Sequence, residues 1–584
     1  MRLLKFLLIF VSAVTAFFIG GWLWMAPPTA PEEMIFHGGN IVTMDEATPS
    51  TEALLVQGGV ITGLGTLTEM RASAPDATLM DLAGQTLMPG LIEPHSHPIA
   101  AAQFSATIDV SGFNHTDRAG VMQTLADNVD DTPGPWAVAF GWDPVMIDDL
   151  EAPTLAELDA LSPDKPLLIL TQMMHDAYAN SAALEAAGIG PDTPNPAAGE
   201  FVRDGNGALT GTVREVGAIN HLFAAMPRPP AGTNDLLLNL FMGEYARAGY
   251  TTVGVLGPVG YDPDPIGLLK RRSGAGAPVQ TMIYALPNQL SETTQPQTRG
   301  GTAPVVGVKF WMDGSPYAGG AAVKEPYEVN TLTTERLHLK PGHSGAVMIP
   351  EDGYEAMFRD YHTRGFQIAT HVQGENAIER VLDVAERVLA AHPRPDHRHR
   401  LEHAALITEG QLKRAHALGF TTSFFIDHIR FYGDKLPMLF GTERTNRYMP
   451  IGTAVEVGHT VTVHGDHPAT PVGPLRSLTT ILLRQANAGG DPLAPDQRLS
   501  RMDALKAMTI NAAWQLGLEG SRGSLSVGKQ ADLLLLSGNL MTMPVDEIEN
   551  TAVLGTWIKG EPVDAGPVTR TNAALLWDLL AGLL

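Results

Sequence analysis

The chain of 584 residues is long enough to bury a large core and to form more than one domain. Its 39 Lys and Arg residues are outnumbered by 63 Asp and Glu residues, and the net charge of -24 argues against a phosphate-binding surface and a nucleic-acid partner. The absence of cysteine excludes disulfides, thiolate nucleophiles and Cys-bound zinc, so that any metal site must use His, Asp, Glu or a modified Lys.

An apolar segment without charge lies close to the N-terminus. Arg2 and Lys5 precede twenty uncharged residues, enough for a helix that crosses about 30 Å of hydrocarbon. We interpret residues 1–25 as an uncleaved signal anchor, that is, a transmembrane helix, followed by a linker at 26–33. The alternative is a cleaved signal peptide and a secreted protein. Because positive residues stay on the cytoplasmic side, we expect the rest of the chain outside the cytoplasm, in the periplasm if the source is bacterial.

Segments rich in β-forming residues occur at both ends of the remaining chain. Residues 34–87 and 522–565 both contain short apolar or alternating runs separated by glycines, a pattern typical of strands joined by tight turns. We expect these two segments to combine into one small β-sandwich domain. Residues 566–584 are expected to form a helix, capped by Thr571 or Asn572, that packs on the body of the protein.

Between the two β segments, apolar strand-like runs alternate with helical ones. This alternation is typical of βα units and a mainly parallel sheet, so we expect the α/β class, with residues 88–521 forming a closed (β/α)8 TIM-like barrel. A polar region rich in Pro and Gly at about 149–228 exceeds ordinary loop lengths, and we expect it to be an inserted lid over one barrel mouth. The strand-like runs are WAVAFGW, PLLILTQMM, YTTVGVLG, VQTMIYAL, VVGVKFWMDG, FQIATHVQG, HRLEHAA, FTTSFFI and TVTVHGDHP.

Polar side chains recur at the ends of these predicted strands. In MPGLIEPHSHP, His95 and His97 lie one residue apart. Side chains of a strand alternate between its faces, so the two rings would point the same way and could share one ion. Two surface-loop histidines beside a proline are the alternative. In a barrel, functional groups gather where the strands end. Such positions are occupied by His95, His97, Lys309, His371, His403 and Asp466.

Seven segments of the chain match a known family: LMPGLIEPHSHP, NSAALEAAGI, VGVKFWMDGSP, ATHVQGENAI, RLEHA, VHGDHPA and GSLSVGKQADLLLL. On these segments the chain resembles the amidohydrolase superfamily, and within it the amidohydrolase-3 branch of YtcJ-like and N-substituted formamide deformylase-like proteins. The resemblance covers about residues 34–565. It departs from the branch where GDHP stands in place of Ser-Asp-x-Pro and where HVQGEN lacks the usual Asp after Gly.

The resemblance implies a metal-dependent hydrolase that holds one or two divalent ions, with zinc expected. It makes His95, His97, His371 and His403 metal ligands. It makes Asp466 both a ligand and the catalytic base. A small-molecule substrate is the implied partner.

The resemblance also implies roles for residues beyond these ligands. In binuclear members of the superfamily, a lysine at the strand end of Lys309 carries CO2 as a carbamate that bridges the two ions. The alternative is an unmodified Lys309 that binds Glu325 or a substrate carboxylate beside one metal. His175 is implied to be a catalytic residue that helps to bind the substrate carbonyl oxygen, with a purely structural histidine as the alternative. His467 and Asp313 are candidates for substrate binding, with a loop cap and a simple turn as their respective alternatives.

The residue types predict the same chemistry as the resemblance. Imidazoles and carboxylates suit zinc or a similar ion, which lowers the pKa of bound water from 15.7 toward about 7 and so supplies hydroxide as the nucleophile. Asp466 would take the proton of this water and deliver it to the leaving nitrogen. We therefore expect hydrolysis of a C–N bond in an amide, N-formyl or N-acyl compound. Deamination of a cyclic amidine and a non-catalytic binding protein on the same barrel are the alternatives.

Overall fold

The computed structural model describes residues 29–196 and 199–582. The expected signal anchor at 1–25 and the first residues of the expected linker lie outside these ranges. Within them, no helix is both long enough and apolar enough to span a bilayer. The described part of the chain comprises a barrel, two further sheets and a C-terminal helix.

The strands of the described residues are numbered β1 to β22 in chain order, and the larger sheets are built from strands far apart in the chain. Their bounds are Glu33–Val42, Ser50–Gln57, Val60–Gly65, Thr78–Asp81, Thr86–Pro89, Leu91–Ser96, Ile108–Asp109, Ala137–Trp142, Leu167–Thr171, Asp176–Ala179, Glu200–Arg203, Leu209–Arg214, Tyr250–Leu256, Gln280–Ala285, Val305–Trp311, Gln367–Val372, Arg400–His403, Thr421–Phe424, Val461–Val463, Leu533–Leu536, Val553–Ile558 and Glu561–Pro562.

The helices of the described residues are numbered α1 to α18 in chain order. Three of them begin with reciprocal capping boxes, formed by Thr66 with Glu69, by Thr154 with Glu157 and by Thr408 with Gln411. The helix bounds are Leu67–Ser73, Pro98–Phe104, Arg118–Asn128, Leu155–Leu161, Ser181–Ala186, Glu215–Ala225, Thr233–Arg247, Pro265–Arg271, Glu351–Thr363, Glu375–Ala391, Glu409–Ala417, Asp427–Tyr432, Leu436–Thr445, Ile451–Val457, Pro474–Leu483, Arg501–Ala507, Ile510–Gln515 and Arg570–Ala581.

Eight parallel strands form the barrel in the order β6, β13, β14, β15, β16, β17, β18 and β19. The first and last of these strands meet at their carboxyl ends. The backbone N–H of His97 donates to the carbonyl oxygen of His467 at 2.9 Å, and that of Gly465 donates to the carboxyl group of Glu93 at 3.0 Å. The expected α/β class is thereby confirmed, and the barrel that was expected to be closed is parallel and nearly closed.

Helix α10 shows how the sequence places helices around the barrel. Its buried apolar residues recur every three or four positions, so one stripe of the helix faces the strands and the opposite side faces solvent. The barrel strands are covered on both faces, which explains why β13 is buried along its whole length. The buried apolar residues of α10 are Ala377, Ile378, Val381, Leu382, Val384, Ala385 and Val388.

A separate six-stranded sheet interrupts the barrel between β6 and β13. Its strand order is β11, β12, β10, β9, β8 and β7, and it extends from Ile108 to Arg214. It contains the runs WAVAFGW and PLLILT, so their expected place among the barrel strands is wrong. An apolar run indicates burial on both faces but does not identify the sheet to which the strand belongs. The inserted sheet therefore begins near residue 108, earlier than the expected start near 149.

The inserted sheet contacts loops that follow the barrel strands. The side-chain amide of Gln172 donates to the carbonyl oxygens of Pro468 at 3.1 Å and Ala469 at 3.2 Å. The hydroxyl of Tyr432 donates to Asp143 of the insertion at 2.7 Å. Because these loops surround the barrel mouth, the insertion lies on the side of the barrel where the strands end.

The two ends of the described chain share one sheet, in which β20 pairs antiparallel with β5. The strand order is β22, β21, β20, β5, β1, β2 and β3, with β4 paired beside β1. The expected sandwich is thus a single hydrogen-bonded sheet of eight strands. The reason is the length of β1, which pairs with both β4 and β5 along one edge and so keeps all strands in one ladder.

The C-terminal helix α18 packs through only one of its faces. Asn572 is buried and accepts a hydrogen bond from the side chain of Asn239 in α7 at 2.8 Å. The helix is capped by Thr569, whose hydroxyl accepts the backbone N–H of Asn572, and not by Thr571 or Asn572. Trp577 on the outer face is 70% exposed.

Candidate metal centre

The strand ends bring the six predicted residues to one mouth of the barrel. His95 and Lys309 lie within β6 and β15, and His403 is the last residue of β17. His97 follows β6 directly, His371 lies near the end of β16, and Asp466 follows β19 by three residues. Neighbouring parallel strands end on the same side of a barrel, which explains why residues so far apart in the sequence meet.

His95, His97 and Asp466 form the centre of the site. The Oδ1 atom of Asp466 lies 3.2 Å from Nε2 of both histidines. Nδ1 of His95 faces a carboxylate oxygen of Glu402 at 2.7 Å, and Nδ1 of His97 faces the carbonyl oxygen of Gly257 at 3.1 Å. Both of these partners only accept hydrogen bonds, so each Nδ1 carries the proton and each Nε2 presents a lone pair.

Acceptor atoms therefore converge at this point of the barrel. Oδ1 of Asp466 and Nε2 of His403 are also buried, and neither finds a hydrogen-bond partner within residues 29–196 and 199–582. A buried polar atom without a partner costs about 1–3 kcal/mol, a penalty that a bound cation removes. Neutral imidazoles and a carboxylate at this spacing are suitable ligands for zinc or a similar divalent ion. The donor set fits a metal ion.

Lys309 reaches the same point from β15. Its Nζ atom lies 3.1 Å from Nε2 of His95 and 5.4 Å from the ring centre of Trp311, and the residue is fully buried. Burial lowers the pKa of Lys309 to about 8. The alternative contact with Glu325 is not formed, because Glu325 is exposed while Lys309 points into the barrel.

His371 and His403 complete the group of histidines. Their ring centres are 4.3 Å apart, and the ring centre of His403 lies 4.9 Å from that of His95. Burial lowers the pKa of all three rings below that of an ordinary histidine, and that of His371 to about 3. The rings are therefore neutral near pH 7, the form in which a histidine binds a metal.

Asp466 lies on the open side of the group. Its side chain is 15% exposed and those of His97 and His371 are 13% and 12% exposed, whereas His95 and Lys309 are fully buried. Burial acts to raise the pKa of Asp466, but neighbouring groups that include the Lys309 ammonium hold it below that of an ordinary aspartate. A molecule that enters the mouth therefore meets an ionised carboxylate.

Two side chains at the site escape the sequence-based prediction, and Glu402 is the first. It forms a fully buried ion pair with Arg400, with 2.6 Å between Oε1 and Nε, and it orients His95 through its second oxygen. The second is His464, whose Nε2 lies 3.1 Å from Nδ1 of His403. The sequence contained a signal for both residues, because side chains two positions apart lie on the same side of a strand. Glu402 lies two residues after Arg400, and His464 lies two residues before Asp466.

Asp313 and His467 do not occupy the substrate-binding positions expected from the sequence. The carboxyl group of Asp313 is fully buried and accepts the backbone N–H groups of Ala322, Gln373 and Gly374. Burial raises its pKa to about 7. It lies behind His371, with 3.6 Å between Oδ1 and Nε2. This position leaves it no free face for a substrate and makes it a support for the ligand ring.

His467 is likewise turned away from the mouth. Its Nδ1 donates to the carbonyl oxygen of Thr470 at 2.8 Å, and its Nε2 lies 3.5 Å from Glu93. Only 1% of the residue is exposed. The loop-cap alternative therefore describes this histidine, because the ring stabilises the turn after Asp466 and has no open side toward a substrate.

His175 is not brought to the group of ligands. It lies on the inserted sheet, where its Nδ1 faces Glu215 at 3.2 Å. Among the described residues, no hydrogen bond or ion pair connects it with the metal ligands. The role of His175 in binding a substrate carbonyl oxygen stays a prediction. Ser315, two residues after Asp313, caps a short turn by accepting the backbone N–H of Tyr317.

Comparisons with known proteins agree with this arrangement. The sequence model of the Amidohydrolase family matches residues 78–564. The chain is 28% identical over 550 residues to the N-substituted formamide deformylase of Arthrobacter pascens, with 91% of this chain and 98% of that protein covered. It is 27% identical over 544 residues to YtcJ of Bacillus subtilis (strain 168), covering 91% and 99%.

A solved structure supports the fold independently. It is that of an uncharacterized metal-dependent hydrolase from Pyrococcus horikoshii OT3, which is 21% identical, with a TM-score of 0.71 and coverage of 88% of this chain and 99% of the other. At this identity the likeness concerns the fold alone. The family match extends over most of the chain and includes all six candidate residues at the barrel mouth. The chain belongs to the amidohydrolase family and is a hydrolase that acts on C–N bonds other than peptide bonds.

Proposed function

We propose that this protein hydrolyses an amide, N-formyl or N-acyl bond of a small molecule, with Asp466 as general base and then general acid. The observation that carries the proposal is the approach of Asp466 Oδ1 to within 3.2 Å of the lone-pair nitrogens of His95 and His97. This spacing suits residues that share one cation. The similarity to an N-substituted formamide deformylase supports a formamide-like substrate.

The residues around Asp466 support its proposed role as base. The carboxylate is ionised near pH 7 because its pKa lies below that of an ordinary aspartate, so that it can accept a proton from water at the site. A bound divalent ion, proposed to be zinc, supplies Lewis acidity and a lowered pKa of water. Asp466 then delivers the proton to the leaving nitrogen. Its partial exposure gives a substrate nitrogen access to the carboxylate.

The products distinguish this function from deamination. The test uses a small panel of N-substituted formamides, N-acyl amines and cyclic amidines. The formamides and N-acyl amines should yield amines together with formate or another carboxylate. Release of ammonia from the cyclic amidines alone would instead identify a deaminase. Absence of turnover across the panel, together with tight binding of one compound, would favour a binding protein.

Removal of the metal should abolish hydrolysis. Because the proposed reaction needs a cation held by the histidines and Asp466 to activate water, we expect dialysis against dipicolinate to remove essentially all activity. Zinc, manganese or cobalt should restore it. Dialysis against dipicolinate preloaded with zinc is the control and should leave activity unchanged. Full activity of protein shown by elemental analysis to be free of metal would contradict the proposal.

Asp466→Asn should retain some metal but lose turnover. The amide oxygen of asparagine can still bind a metal weakly, but it cannot accept and return a proton. General acid–base catalysis contributes about 100-fold to 10,000-fold to a reaction rate. We expect kcat to fall by a factor in this range while bound metal remains measurable. Asp491→Asn, at an exposed position, is the matched control and should behave as wild type. A kcat close to that of wild type in Asp466→Asn would show that another group is the base.

Carboxylation of Lys309 should be visible in metal content. We infer that Lys309 is carboxylated. Its neutral amine, a minor fraction near pH 7 at a pKa of about 8, would add to CO2 and lose one proton, and the carbamate would help to hold two ions. Elemental analysis should then approach two ions per chain. Lys309→Ala should lose metal and activity and recover partly with added short carboxylates, whereas Lys413→Ala at an exposed site should not change either. One ion per chain beside an unmodified Lys309 would establish a mononuclear centre.

The site is proposed to work outside the cytoplasm, tethered by residues 1–25. The support is the uncharged stretch of twenty residues after Arg2 and Lys5. We expect the full-length protein to stay in membranes washed with high salt and to be released only by detergent. Mass spectrometry of the N-terminus decides the alternative: a soluble form starting between residues 26 and 31 would mean that the segment is a cleaved signal peptide.

A further inference from the structure

His464 occupies a position behind the ligand His403 that none of the roles described so far explains. It is buried, as are His403 and Ser423 on either side of it. Its Nε2 lies 3.1 Å from Nδ1 of His403, and its Nδ1 lies 2.8 Å from the hydroxyl oxygen of Ser423. Its ring also stacks on that of His95, with centres 4.5 Å apart. The ring is therefore held on two edges and one face.

The three groups form a hydrogen-bonded row that can carry its protons in two directions. In the first, Nδ1–H of His403 donates to His464, and Nδ1–H of His464 donates to Ser423. In the second, Ser423 donates to His464, whose Nε2–H donates to His403. Each neutral imidazole carries one proton, so the first direction leaves a lone pair on Nε2 of His403. The second direction leaves a proton there.

The surroundings of His403 distinguish the two directions. Its Nε2 is buried, and the described residues offer it no acceptor. Each direction leaves one buried donor for which the described residues show no acceptor, the O–H of Ser423 in the first and Nε2–H of His403 in the second, but only a proton on Nε2 of His403 would prevent coordination of a metal. A lone pair on the same atom can bind a cation. The direction from His403 to Ser423 is therefore the one compatible with metal binding.

We propose that His464 is a positioning residue that, with Ser423 as the terminal acceptor, holds His403 as the tautomer whose Nε2 coordinates the metal. The proposal rests on the metal centre of the proposed function and deepens it. A direct role of His464 as an additional ligand does not fit, although it lies close enough to be considered one. Both of its ring nitrogens are already occupied, one by His403 and the other by Ser423.

The test is a zinc titration of metal-free protein against a chromophoric chelator, with variants that separate hydrogen bonding from ring shape. His464→Phe keeps a flat ring but removes the acceptor, and we expect zinc affinity to fall about 10-fold to 100-fold, as for other residues behind metal ligands. His464→Gln places a carbonyl acceptor toward His403 and should recover affinity to within about threefold of wild type. Its side chain does not also reach Ser423, so full recovery is not expected.

Ser423→Ala tests the far end of the row with the smallest change of volume. It removes the acceptor for Nδ1–H of His464 and thereby favours the direction that leaves a proton on Nε2 of His403. Zinc affinity should therefore fall about threefold to tenfold, which corresponds to the free energy of one hydrogen bond. Cobalt-substituted His464→Phe should also show an altered visible spectrum, a change that general loss of stability does not produce. Ser423→Ala decides the question if His464→Phe does not fold.

His459→Phe is the matched control for loss of a buried histidine. His459 donates to the carbonyl oxygen of Leu412 at 2.8 Å and does not touch the ligands, so its loss should lower thermal stability without changing zinc affinity. Wild-type affinity in folded His464→Phe or in Ser423→Ala would overturn the inference, as would equal weakening by His464→Phe and His464→Gln. Absence of zinc binding by wild-type protein would instead refute the metal centre itself.

Discussion

The carboxyl group of Glu93 connects the first and last strands of the barrel, and the geometry of the site depends on this connection. One of its oxygens accepts the backbone N–H of His95 at 3.0 Å, and the other accepts that of Gly465 at 3.0 Å and the hydroxyl of Tyr250 at 3.2 Å. His95 and Asp466 come from strands at opposite ends of the sheet order. This buried side chain therefore links the two ligands, together with the backbone hydrogen bond from His97 to His467.

A second layer of groups acts from behind the ligands, and each member has a different chemical nature. A carboxylate orients His95, a backbone carbonyl orients His97, and an imidazole contacts His403. Asp313, held by three backbone amides, lies behind His371. Because the rings are fixed by the protein itself, their lone pairs point into the site before a cation arrives. Binding then requires little reorganisation, which favours both affinity and a defined coordination geometry.

The barrel and its ligand positions could be predicted because both follow from local rules. Alternation along a strand places His95 and His97 on one side, and the barrel rule places polar residues at strand ends. The assignment of WAVAFGW to the barrel failed because apolar runs look alike in any buried sheet. The buried hydrogen bonds of Asp313 and His467 could not be foreseen for a related reason. Their partners are backbone groups of loops, whose paths depend on tertiary packing and leave no local pattern.

The sheet shared by the two chain ends has a consequence for biosynthesis. Strand β5 pairs with β20, which lies about 450 residues later in the chain. At about 5–20 residues per second, the ribosome takes roughly 20–90 seconds to complete the missing partner. During this interval the edge of β5 is open to incorrect pairing. A nascent chain that stalls in this window therefore carries an unprotected strand edge, and its fate depends on chaperones rather than on the stability of the finished enzyme.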